Sequence, residues 1–156
     1  MCAAAKLLGW KAIVADARGK FATRERIPSA DELIVAWPEE TIAQVAPDHS
    51  TAVVVLTHDD KFDVPALKAA LATEAFYVGA LGSRRNQERR RERLLEAGVS
   101  EDELERIHGP CGLDVGAESQ PETALSILAE IVALRHGREG GPLKAAKQRI
   151  HAEVVD

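Results

Sequence analysis

The stretch FYVGALGSRRNQERRRERLL, Phe76–Leu95, decides the fold. It opens as an apolar strand, crosses two glycines and a serine, and continues as an arginine-rich helix. A strand feeding a helix through a tight glycine turn is the repeating unit of a parallel α/β sheet. The free N–H groups at such a helix start also suit an anion. Gly79 and Gly82 let the backbone turn and approach a ligand closely. Ser83 is a natural N-cap, and Arg84 and Arg85 can clamp a phosphate. The alternative is that Gly82 and Ser83 are only turn and cap. The run RRNQERRRERLLE would then be a solvated face laced with i,i+4 pairs such as Arg84–Glu88, and that is the reading for Arg89–Arg93.

Working outward, short apolar segments alternate with helical ones. Cys2–Leu8 is an alanine-rich helix stopped by Gly9. Strands are expected at Trp10–Ala15 (WKAIVA), Glu32–Ala36 (ELIVA), Thr51–Leu56 (TAVVVL) and Phe76–Ala80. TAVVVL is apolar and β-branched, the pattern of a strand buried on both faces. Helices are expected at Thr41–Val45, Ala66–Ala72, Arg84–Ala97 and Pro121–Arg135. Ser100 with Glu103 forms a capping box for a short helix through Ile107, and Ser119 with Glu122 caps the long one. A last short strand is expected within the glycine-rich loop HGPCGLDVGAESQ, His108–Gln120. The pattern gives a doubly wound parallel sheet over 1–137, followed by a C-terminal tail over 138–156.

Composition narrows the function. The chain has 156 residues and a net charge of −5, which argues against nucleic-acid or membrane-surface binding. No run is long enough to span a membrane, and the N-terminal residues lack a basic leader. Cys2 and Cys111 are far apart and read as reduced thiols of a cytoplasmic protein. Cys111, between Pro110 and Gly112, suits an exposed thiol. No His, Cys and Asp group has metal-ligand spacing.

In open parallel sheets ligands bind at the carboxyl ends of the strands. Asp16 stands where a Rossmann fold places the acid that meets a ribose, and Arg18 beside it suits a phosphate. An acid at the end of a strand is also a common turn former. His58 in THDD is a conceivable general base or a polar loop residue, with Asp59 next to it. Asp114 in GLDVGA is read as a loop residue that accepts backbone N–H groups.

These motifs resemble a family. VAWPEE, VVVLTHDDKFDVPAL, YVGALGSRR, RIHGPCGLDVGA, ALSILAEI and the late GPLK and IHAE are similar to the C-terminal half of the XdhC/CoxI proteins. These are accessory proteins for maturing xanthine dehydrogenase and related molybdenum hydroxylases. The resemblance implies a Rossmann-like domain that binds molybdenum cofactor, a phosphorylated pterin, without being an enzyme itself. It implies an apo xanthine dehydrogenase-type molybdoenzyme as partner, and a cysteine desulfurase where the cofactor is sulfurated. It carries over Gly79–Arg85, Thr57–Asp59 and Gly112–Ala117 as cofactor-binding segments.

The family opens this domain with a strand and a GxG-type loop. Here Met1 falls inside the helix expected after that loop, so the first strand and its dinucleotide fingerprint are missing. The flanking strands, WKAIVA and TAVVVL, would then present unpaired edges, which predicts a homodimer or a chain prone to aggregate. Two other functions compete. One is an NAD(P)-dependent oxidoreductase, favoured by Asp16 and opposed by the missing glycine loop. The other is a dimerisation module without a ligand.

Overall fold

The structure is a computed structural model that describes residues 1–147 and 149. The late IHAE motif lies outside the described residues, as does part of the expected 138–156 tail.

Among the described residues five short strands form, and every pairing is parallel. They are β1 (Ile13–Ala15), β2 (Glu32–Ile34), β3 (Ala52–Val55), β4 (Tyr77–Ala80) and β5 (Ile107–His108). β1 pairs with β2 in one sheet, and β3, β4 and β5 lie in that order in a second. Between the strands run α1 (Cys2–Leu7), α2 (Pro38–Val45), α3 (Asp60–Leu71), α4 (Arg84–Glu96) and α5 (Glu101–Leu104), with α6 (Gln120–Arg135) closing the series. A 3-10 turn follows at Leu143–Ala145.

The sheet is wound on both faces because successive strand residues point to opposite sides. Val55, Val78 and Ala80 bury against Leu67 and Leu71 of α3, Leu94 of α4 and Leu104 of α5. Ala52, Val54 and Tyr77 face Ala5 of α1 and Ile127, Leu128 and Ile131 of α6. The chain therefore folds as a Rossmann-like doubly wound parallel sheet.

The expected gap is present. Among the described residues β1 pairs only with β2, and β3 only with β4 among its sheet neighbours. Direct pairing of WKAIVA with TAVVVL does not occur. The open edge also explains why Val53 and Val54 are only partly buried, although the sequence reads as a strand covered on both faces. The two half-sheets are held by α1 packing on α6 and α2 on α3. Rings and cations add to this: the Arg18 guanidinium lies 5.0 Å from the Phe62 ring, and Trp37 meets Phe62 at 5.4 Å.

Several boundaries differ from the sequence expectation. β1 and β2 are shorter, and α2 begins at Pro38, whose fixed φ and missing N–H suit the first helical position. α3 begins six residues earlier than expected and contains Pro65. The Asp59 side chain accepts the Lys61 N–H at 3.1 Å, so the first turn is capped and only one interior bond is lost at Pro65. The last strand is Ile107–His108, at the very start of the glycine-rich loop rather than inside it. Both capping boxes form as read, at Ser100 with Glu103 and Ser119 with Glu122.

Candidate functional site

β3 and β4 are neighbours, so the loops leaving their carboxyl ends are neighbours too. Leu81 N–H donates to Val55 O at 2.9 Å and holds the two exits together. The loop after β5 joins them, because Cys111 N–H donates to Ala80 O at 3.1 Å. The segments that carry Thr57–Asp59, Gly82–Arg85 and Gly112–Ala117 therefore leave the sheet side by side, at Val55, Leu81 and Cys111.

The β4–α4 turn is shaped by Gly82 and Ser83. Gly82 has φ +134°, a backbone region that L side chains rarely adopt. Ser83 caps α4 by accepting the Asn86 N–H at 3.3 Å. The N–H groups of Arg84 and Arg85 open the helix and have no intrahelical partner. Their side chains are exposed and, among the described residues, make no ion pair or hydrogen bond.

Other candidates have different roles. Gly79 lies within β4, not in the turn. A Cβ there would sit 2.5 Å from Tyr77 Cε1, so Gly79 makes room for the Tyr77 ring and not for a ligand. Asp16 is not free to meet a ribose. Its Oδ1 accepts the Arg18 N–H at 2.8 Å and Nε at 2.9 Å, and its Oδ2 accepts an Arg18 terminal nitrogen at 2.9 Å. The Arg18 hydrogen bond holds the Asp16 carboxyl below the usual carboxylate range. Arg18 is equally occupied and is not a free phosphate clamp. His58 is exposed on the loop, while Asp59 is the cap of α3. Asp114 is exposed and, among the described residues, accepts no loop N–H.

The loop acceptor is Glu130 of α6. Its Oε2 takes the Gly112 N–H at 2.8 Å and the Tyr77 hydroxyl at 2.5 Å. His108 stacks on the Tyr77 ring at 4.8 Å, with Nδ1 3.8 Å from Glu130 Oε1. Cys111 is buried beside this group, not exposed. Burial first, and the Glu130 charge second, push its thiol up to about 11. A signal for Glu130 existed: it is a charge set among Ile127, Leu128 and Ile131 on the apolar stripe of α6.

The arginine run also needs correction. Arg90 is buried and donates to Asp63 Oδ2 at 2.8 Å, while Arg89 and Arg91 pair with Asp60 and Glu101 on other elements. Arg90 precedes Leu94 by one helical turn, and Asp63 precedes Leu67 likewise, so both lie on core-facing stripes. No i,i+4 pair of Arg84 with Glu88 forms among the described residues.

Comparison with known proteins agrees with this architecture. The XdhC Rossmann domain family matches residues 1–131. The molybdenum cofactor insertion chaperone PaoD of Escherichia coli (strain K12) is 39% identical over 103 residues, covering 66% of this chain and 32% of that protein. A probable xanthine dehydrogenase subunit of Bacillus subtilis (strain 168) is 33% identical over 127 residues, covering 81% of this chain and 36% of that protein. The crystal structure of a xanthine dehydrogenase from Bacillus halodurans superposes with a TM-score of 0.73 at 27% identity, covering 94% of this chain and 40% of that one. The chain thus spans about a third of the length of these curated relatives. On the match over residues 1–131, the chain belongs to the XdhC Rossmann domain family.

Proposed function

We propose that this chain is the Rossmann part of an accessory factor that binds molybdenum cofactor and helps its insertion into a xanthine dehydrogenase-type molybdoenzyme. One observation carries the reading. Arg84 and Arg85 are exposed cations without a partner among the described residues, at a capped helix start beside the exits of β3 and β5. A phosphate monoester fits that donor set: two guanidinium groups and the first N–H groups of α4. The cofactor supplies the molybdenum chemistry when bound, and this chain's residues bind and orient it through its phosphate. The relatives' names support the same role. A non-catalytic role fits the site, since Cys111 is held protonated at neutral pH and Asp59 serves as a cap. Both cysteines are free thiols, which suits a cytoplasmic setting. A cysteine desulfurase as second partner rests on the family resemblance alone.

The competing oxidoreductase reading loses its acid, because Arg18 occupies both oxygens of Asp16. Steady NAD(P)H turnover by the purified chain with small carbonyl substrates would restore it. The direct test of the accessory role is transfer. Purified chain loaded with molybdenum cofactor is added to a cofactor-free xanthine dehydrogenase-type enzyme. Activity should appear faster than with free cofactor at equal concentration, and equal rates would count against the role.

A further inference from the structure

Arg90, Asp63 and Gln87 are buried or half-buried polar residues that the proposed phosphate site does not use directly. Arg90 is 4% exposed and Asp63 1%. Their ion pair links α4 to α3 beneath the β4–α4 turn. The same Arg90 nitrogen donates to Leu81 O at 3.0 Å, and its other terminal nitrogen donates to Gln87 Oε1 at 2.6 Å. Gln87 Nε2 donates to Ala80 O at 3.2 Å, beside the Cys111 N–H on that carbonyl. The carbonyls of the two residues that enter the turn are thus both held by side chains from α4.

We infer that Arg90 and Gln87, anchored by Asp63, are positioning residues for the phosphate turn, acting through Ala80 and Leu81. The physical reason is the polarity of the turn. An anion needs N–H groups facing it, and a carbonyl facing the same space would repel it. Donors beneath Ala80 and Leu81 hold their carbonyls inward. The next residues, Gly82 to Arg85, are then left to present N–H groups outward. A charged donor is suited to this because its hydrogen bonds are stronger than those of a neutral one. The Asp63 carboxylate balances the buried charge, so the brace adds no net charge beneath the site. A role in core packing alone does not account for the donors' targets, which are the carbonyls of Ala80 and Leu81.

The inference rests on the phosphate reading, and two readouts keep their failures apart. The variants are Gln87→Leu, which keeps the ion pair, and the joint Asp63→Leu/Arg90→Met, which removes both charges together. Leu71→Ala, in the same core but away from the turn, is the control for lost stability. Hydrogen exchange at the Leu81 and Gly82–Arg85 amides reads turn order without any ligand. Exchange there should rise about tenfold in the brace variants, with Val53 and Val78 unchanged. Inorganic phosphate is then titrated against the Gly82–Asn86 amide signals. The brace variants should bind about tenfold more weakly, and Leu71→Ala should bind like wild type. A wild-type protein that ignores phosphate, with exchange altered as expected, would overturn the phosphate reading and leave the brace as a turn-ordering device. Folded brace variants with wild-type exchange and wild-type phosphate binding would overturn the inference.

Discussion

Tyr77, the first residue of β4, donates its hydroxyl to Glu130 in the middle of α6 at 2.5 Å. The same carboxylate oxygen takes the Gly112 N–H, so one residue fixes both a strand and the loop after β5. Glu130 is half-buried, and losing the Tyr77 hydroxyl would leave its charge with one donor fewer. Tyr77→Phe should therefore cost about 1.5–3 kcal/mol. Urea unfolding measures this, and an unchanged midpoint would mean that the contact contributes nothing to stability.

Gly79 and Tyr77 are coupled sterically. A methyl group on Gly79 would sit inside the contact distance of the Tyr77 ring. Gly79→Ala should destabilise by about 1–3 kcal/mol through forced movement of that ring. The same change in a Tyr77→Ala background should cost much less. Additive effects in the double-mutant cycle would refute the steric account.

Cys111 predicts a pH dependence with a definite sign. Burial raises its thiol from an ordinary 9.0 to about 11, so the folded state holds the proton more tightly than the unfolded chain. The stability this represents is present below pH 9 and is lost as pH rises from 9 through 11. Tyr77 is shifted in the same direction, by burial first and then by Glu130, and adds to the alkaline loss above pH 10. Cys111→Ser would retain only the Tyr77 part of that loss. At pH 8, iodoacetamide should label half-buried Cys2 faster than Cys111, as read by peptide mass spectrometry. Equal labelling would place Cys111 outside the core.

Much of this fold is legible in the sequence because it depends on local chemistry. The capping boxes at Ser100 and Ser119 need only residues three apart, and both form. The parallel sheet follows from apolar strands alternating with helices. The Gly82–Ser83 turn also stands where the spacing puts it. What is not legible depends on where side chains come to lie in the fold, whether their partners are two residues away or many. Asp16 reads as a ribose acid until Arg18 is seen to fold back on it. Gly79 reads as a turn glycine until the Tyr77 ring is found across it. Arg90 looks like one of the four solvated arginines of Arg89–Arg93, and only Asp63, 27 residues away, explains its burial. Pro65 suggests a helix boundary by propensity, and the Asp59 cap lets the helix start before it.

The unpaired edges of β1 and β3 carry a prediction about assembly. Open apolar edges recruit strands from other chains. We therefore expect the isolated chain to form a homodimer or larger species at micromolar concentration, as measured by light scattering. A monodisperse monomer with slow hydrogen exchange along both edges would contradict it.

The central claim is a phosphate-directed cofactor site at the start of α4. The measurement that tests it most directly is the affinity of molybdopterin for the wild-type chain and for Arg84→Ala/Arg85→Ala. Both side chains are exposed and without partners among the described residues, so the variant should fold as wild type does. Binding should weaken by about 1.5–3 kcal/mol for each charged hydrogen bond lost, with inorganic phosphate competing against the wild type. Equal affinity of the two proteins, with no competition from phosphate, would contradict the account.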